Sequence, residues 1–259
     1  MILAVMPHPA LAVPEVGGEI SKISETVRAM DEISREIADF SPETIIFFTP
    51  HGTMYGDFFH VSPGAGATGD LSRFGASEPT FSLEYDIELT EEIARISEQQ
   101  NFPAGTFGER DPALDHGVLV PVYYLNKFFT NYKIVRVSQS GLSTAAHFEM
   151  GAMVAAAAEN LGRRYCVVAS GDLSHKLGGS YGFAPEGETF DRDIMKFLRE
   201  ADFSALLAMP DDLLEAAVEC GHSSFAMLAG CLAGREVAAK QLSYECPLGV
   251  GYGVVKFNA

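Results

Sequence analysis

Four histidines in this chain stand beside residues that hold the backbone in a fixed direction: His8 in Pro7-His8-Pro9, His51 in Pro50-His51-Gly52, His116 in Asp115-His116-Gly117, and His175 closing Gly171-Asp172-Leu173-Ser174-His175. Proline locks φ and glycine permits tight turns, so a side chain next to either is aimed by geometry and not by helix propensity. Imidazole can bind a divalent transition ion when neutral, and near neutral pH it can take or give a proton. Two imidazoles and one carboxylate leave open positions on one face of an ion, the arrangement of non-haem iron(II) oxygenases. A similar donor set also makes open zinc sites. His8 and His51 are the candidate imidazole ligands, and Glu245, in Tyr-Glu-Cys-Pro-Leu-Gly, is the candidate carboxylate. Taken alone, a glutamate between two strands is as readily a surface residue.

His116 and His175 are candidates for proton transfer, although Asp115, Asp172 and Ser174 beside them could equally cap helix ends. Any one of these histidines suits packing or capping as well as chemistry. Four in similar settings argue for a shared site. His60, in Phe-Phe-His-Val-Ser, reads as an outward polar residue of a strand. His147 falls in an Ala-rich helix, and His222 opens a helix after Gly221.

The elements that would position these groups alternate. Ile2 to Val5 is a short apolar strand. A helix follows in which Ile20, Ile23, Val27, Met30, Ile33 and Ile37 recur at steps of three and four. Thr44 to Thr49 is a continuous apolar run, as in a strand covered on both faces. A looser antiparallel excursion through TFSLEY leads to a helix from about Ile87 to Gln99. The β/α rhythm resumes with a helix over Val118 to Phe129, a strand over Lys133 to Val137, a helix over Thr144 to Leu161 and a strand over Tyr165 to Ala169. Glu188 to Gly234 is mainly helical, and strands near Ala238 to Tyr244 and Gly251 to Phe257 close the chain. This order predicts a single α/β domain, residues 1–259, with a mixed, largely parallel central sheet flanked by helices. In such sheets ligands bind beyond the carboxyl ends of the strands, where His8, His51 and the 171–175 segment fall.

The formal net charge of -17 disfavours nucleic acid and anionic membrane surfaces as partners. No apolar run approaches the length of a membrane span, and MILAVMPHPAL lacks a signal-peptide core, so cytoplasm is the expected compartment. Cys166, Cys220, Cys231 and Cys246 form no C-x-x-C pair and are expected to be reduced thiols. Gly64-Ala-Gly-Ala-Thr-Gly69 matches a dinucleotide-binding fingerprint by letter. It is followed by DLSRFGASEP, which cannot open the helix that such a fingerprint requires.

The segments MPHPAL, FTPHG, DHGVLVP, ASGDLSH and YECPLGVGY, in this order over nearly the whole chain, resemble the class III extradiol dioxygenase superfamily. The likeness is to the catalytic subunit of protocatechuate 4,5-dioxygenase and to Memo-like proteins of the same fold. The resemblance implies iron(II), with manganese(II) or zinc(II) as alternatives, held by His8, His51 and Glu245. It implies His175 as the acid/base group and His116 as a second active-site histidine near substrate and oxygen. The implied activity is ring opening of a catechol-like or aminophenol-like aromatic with dioxygen. A Memo-like metal- or peptide-binding module and a zinc hydrolase are the alternatives. The protocatechuate enzyme has a small second subunit that closes its pocket. This chain ends after the closing strands and is expected to stand alone, to form a homo-oligomer, or to depend on a small partner subunit or domain.

Overall fold

A computed structural model of the chain describes residues 1–18, 20–108 and 113–259. Its elements are β1 (Ile2–Met6), α1 (Ser24–Phe40), β2 (Thr44–Thr49), β3 (Phe59–His60), β4 (Gly66–Leu71), β5 (Ala76–Glu84), α2 (Ile87–Gln100), β6 (Ala104–Gly105), α3 (His116–Leu125), β7 (Lys133–Ser138), α4 (Thr144–Asn160), β8 (Tyr165–Ser170), α5 (Pro185–Glu200), α6 (Phe203–Leu207), α7 (Asp211–Ala217), α8 (His222–Cys231), β9 (Ala238–Glu245) and β10 (Tyr252–Asn258).

The apolar runs at β1, β2, β7, β8 and β10 have side chains on both faces to bury, so they form a sheet that must be covered twice. Its order is β7-β2-β8-β1-β10-β9. β2 pairs in parallel with both β7 and β8, and β8 in parallel with β1. β10 and β9 close the other side antiparallel. On one face Leu3, Val5, Ile46, Phe48 and Val167 meet α2, α4, α5 and α8. On the other, Ala4, Met6, Ile45, Phe47 and Val168 meet α1 and α3. The expected sheet between two helical layers is therefore present. The antiparallel excursion is the hairpin β4–β5, which stands outside the main sheet.

Helix packing is closest between α4 and α8. A Cβ on Gly151 would come within 1.8 Å of the Met227 carbonyl oxygen, and one on Gly230 within 2.0 Å of that of Phe148. Only glycine lets the two backbones approach this far.

Two local expectations change. The α3 helix ends at Leu125 and not at Phe129. His60 is fully buried, with Nδ1 3.0 Å from the Phe107 carbonyl oxygen, because its strand is covered on both sides. No helix among the described residues is long and apolar enough to cross a membrane.

Candidate metal centre and active site

His8 follows β1 by two residues and His51 follows β2 by two; Asp172 follows β8 by two. These strands lie side by side in the order β2-β8-β1, so their carboxyl ends present all three residues along one edge of the sheet. His116 is brought to the same place as the first residue of α3. Metal-binding atoms of His8, His51 and His116 all lie within 4.8 Å of one another. The Nε2 atoms of His8 and His51 are 3.0 Å apart. The His116 ring stacks on that of His51 at 4.1 Å and 22°.

The surroundings aim these rings. His8 Nδ1 lies 2.8 Å from Ser170 Oγ, which turns Nε2 toward His51. The His8 backbone N–H donates to Asp172 Oδ1 at 2.8 Å. Asp115, at the start of α3, caps no backbone amide. It accepts from Thr49 Oγ1 at 2.6 Å and faces the fully buried guanidinium of Arg136 at 3.6 Å. The reading of Asp115 and Asp172 as simple caps therefore gives way to side chains that bind the site: Asp115 holds Thr49 of β2 and Arg136 of β7, and Asp172 accepts the backbone N–H of His8.

Electrostatics keep the histidines neutral. Burial, and then the neighbouring imidazoles, hold His8 well below its usual value. Burial lowers His51, against an opposing pull from Asp115 and Asp172. His116 is pushed down to about 3 by burial, by His8 and His51, and by Arg73. Their lone pairs are thus available near pH 7, as metal binding requires.

His175 lies across the same cavity. Its Nδ1 is 2.5 Å from the Val218 carbonyl oxygen, which can only accept, so Nδ1 carries a proton. Val218 presents that carbonyl from a left-handed backbone, φ 51, a strained setting for a β-branched residue. The cavity has a volume of about 460 Å³ and is lined by His8, His51, His116, Asp172 and His175. Leu11, Val16, Phe74, Tyr181 and Tyr252 supply much of its apolar wall.

Glu245 is not brought to the histidines. Its Oε1 accepts the Thr26 backbone N–H at 2.6 Å, in the first turn of α1, where unpaired amides favour a negative charge. Cys220 stands nearer to the cluster. Its Sγ is 3.6 Å from His8 Nε2, and it lines the cavity. Burial and the charges of Asp172 and Glu219 push this thiol up. Sequence reasoning passed over Cys220. The signal was its setting, Cys220-Gly221-His222 before a helix, which parallels Asp115-His116-Gly117. His147 and His222 are buried elsewhere, on Ser143 O and Leu206 O respectively.

The family described as the catalytic LigB subunit of aromatic ring-opening dioxygenase matches residues 2–255. The chain belongs to the LigB family, within the class III extradiol dioxygenase superfamily. This LigB-family chain is 36% identical to a protein of Clostridium acetobutylicum over 98% of its own length and 56% of that protein's. It is 28% identical to a MEMO1 family protein of Methanothermobacter thermautotrophicus over 73% of its length and 61% of that one's. The LigB-family chain thus spans little more than half the length of the curated relatives it matches. In fold it is similar to an uncharacterized protein of Escherichia coli K12, with a TM-score of 0.68, 15% identity and 99% of each chain covered.

Proposed function

We propose that this chain is a non-haem iron(II) extradiol dioxygenase, opening a catechol-like or aminophenol-like ring with dioxygen. The observation that carries the reading is the convergence on one cavity of two neutral imidazole nitrogens 3.0 Å apart, with His175, its Nδ1 on the Val218 carbonyl, lining the same cavity. The residues fit a divalent ion: at bond lengths of roughly 2.0 to 2.1 Å, neighbouring imidazole ligands place their nitrogens about 3 Å apart. Ser170 supplies the outer hydrogen bond that orients a ligating histidine. His8 and His51 would hold the ion, with His116 or Cys220 as the third group. Iron(II) held there would supply a centre that a diol can chelate through both ring oxygens and through which electron density can reach dioxygen.

The protein's own groups do the rest. His175 Nε2 takes the proton of a ring hydroxyl, while Nδ1–H stays on the Val218 carbonyl and stabilises the imidazolium. Where Cys220 completes the ion's ligands, His116, neutral and within the same cluster, offers an N–H to negative charge developing on oxygen. Phe74, Tyr181, Leu11 and Val16 pack on the ring and exclude water.

A second reading, a Memo-like or hydrolytic zinc site, draws on the thiol of Cys220 beside His8 and on the engagement of Glu245 with Thr26. Anaerobic loading with iron(II) or zinc(II), metal analysis, and oxygen uptake with a panel of catechols separate the two. Iron-loaded protein should consume oxygen, and His175→Gln should lower kcat by about 10² to 10⁴ while bound iron is unchanged. If iron-loaded protein consumes no oxygen with any diol, the dioxygenase reading fails.

A further inference from the structure

A buried tyrosine hydroxyl ordinarily finds a hydrogen-bond partner. Tyr124 donates to the Ala12 carbonyl at 2.6 Å, Tyr132 to Asn126 at 2.7 Å and Tyr244 to Asp191 at 2.9 Å. Tyr252 is 4% exposed, yet its hydroxyl makes no hydrogen bond among the described residues. The Tyr165 hydroxyl also lacks a partner, but it is sealed in the core, whereas that of Tyr252 is not. Tyr252 lines the cavity of about 460 Å³ that holds the histidines, and its hydroxyl opens there. It is the first residue of β10, which runs antiparallel to β1, so it stands at the carboxyl end of β1 beside the segment that carries His8. Burial, and then Asp172, Tyr181 and Glu245, push its phenol above the usual value, so the O–H keeps its proton near pH 7 and remains a donor. Among the described residues no lysine, arginine, serine or threonine lines this cavity, and Asp172 adds a carboxylate. Negative charge created on a ring oxygen there meets few donors from the protein.

Building on the ring-opening reading, we propose that Tyr252 is a catalytic residue whose phenolic O–H donates a hydrogen bond to the ring oxygen left negative when His175 takes its proton. A hydrogen bond to an ionised acceptor is roughly twice as strong as one to a neutral acceptor, so the contact favours the ionised diol over the neutral one. Tyr252 gives up no proton in this step: the proton passes from the ring hydroxyl to His175, and the phenol keeps its own. The Tyr252 ring belongs to the buried core under α1 and α3, which fixes the direction of the hydroxyl before substrate arrives.

The test is the ionisation of bound 4-nitrocatechol, a diol whose visible spectrum differs between its neutral and singly ionised forms. It is titrated with pH, under nitrogen, on iron(II)-loaded wild type and Tyr252→Phe. Phenylalanine keeps the ring in the core and removes only the hydroxyl, so circular dichroism and bound iron should match wild type. The pH midpoint of the bound diol should rise by about 1 to 2 units in Tyr252→Phe, and its affinity at pH 7 should fall about ten- to a hundredfold. A tyrosine that only packs would leave the midpoint in place. An unchanged midpoint in Tyr252→Phe therefore overturns the inference, whatever happens to turnover. A raised midpoint with no oxygen uptake by wild type on any diol overturns only the dioxygenase reading. Failure of iron-loaded wild type to bind the diol overturns both.

Discussion

Replacing Asp191 by asparagine isolates one buried charge behind the His175 loop. Asp191 lies on α5, 2% exposed, with Oδ1 accepting the Ser174 N–H at 2.8 Å and Oδ2 accepting the Tyr244 hydroxyl at 2.9 Å. Burial pushes its carboxyl from an ordinary value of 3.8 up to about 7. The folded state therefore holds this proton more tightly than the unfolded chain does. Stability from this group is greatest below pH 4 and falls as pH rises toward and through 7. Between pH 5 and pH 8 the two-state linkage relation gives a loss of about 2.5 kcal/mol. Asparagine keeps an acceptor for Ser174 and cannot ionise. Urea unfolding of wild type and Asp191→Asn at both pH values measures the difference, and groups that titrate in both proteins cancel. The variant should gain about 2.5 kcal/mol on wild type between pH 5 and pH 8. A gap that stays constant to within about 0.5 kcal/mol would refute the assignment of a buried, late-ionising Asp191.

Three further outcomes follow from packing and charge. Gly151→Ala drives a Cβ into the backbone carbonyl of Met227, which cannot move aside as a side chain could, and thermal unfolding should show a loss of about 1 to 3 kcal/mol. Gly56→Ala, with open space around it, should fall within about 0.5 kcal/mol of wild type. Arg136→Met leaves the Asp115 carboxylate buried without its cation, so urea unfolding should show about 3 to 5 kcal/mol of destabilisation. A loss under about 1 kcal/mol would mean that Thr49 alone satisfies Asp115.

The strands were legible because β2 and β8 are apolar on both faces, a pattern with few other uses, and because helices alternate with them. The strand-end histidines were legible for the same reason: once the strands are placed, His8 and His51 have nowhere else to go. Their convergence with His116 was expected from their similar settings and from the resemblance, but the sheet order that produces it, with β8 between β1 and β2, is encoded by no local pattern. Glu245 shows the limit most clearly. Its carboxylate meets the first turn of α1, 219 residues earlier, and a helix end in need of an acceptor leaves no mark at the residue that supplies it. Cys220 has the converse problem. Its placement before a helix that opens with a histidine was a weak local signal, and its meeting with His8, 212 residues away, was no local signal at all. His60 reads as an outward residue by alternation alone, and it is buried because the neighbouring segment folds over it and offers the Phe107 carbonyl.

β8 lies between β1 and β2, although both precede it by more than a hundred residues in the chain. As the polypeptide leaves the ribosome, the first two strands emerge without the strand that each must pair with. At usual rates of synthesis, the interval between Thr49 and Tyr165 is on the order of ten seconds. During it His8 has no Ser170 to orient it and no fixed distance from His51. The nascent chain thus carries two potential ligands that cannot act as a pair. On the proposed metal-binding reading, capture of an ion would wait until most of the sheet has been made, and an abundant ion would have no early site at which to trap a half-folded chain.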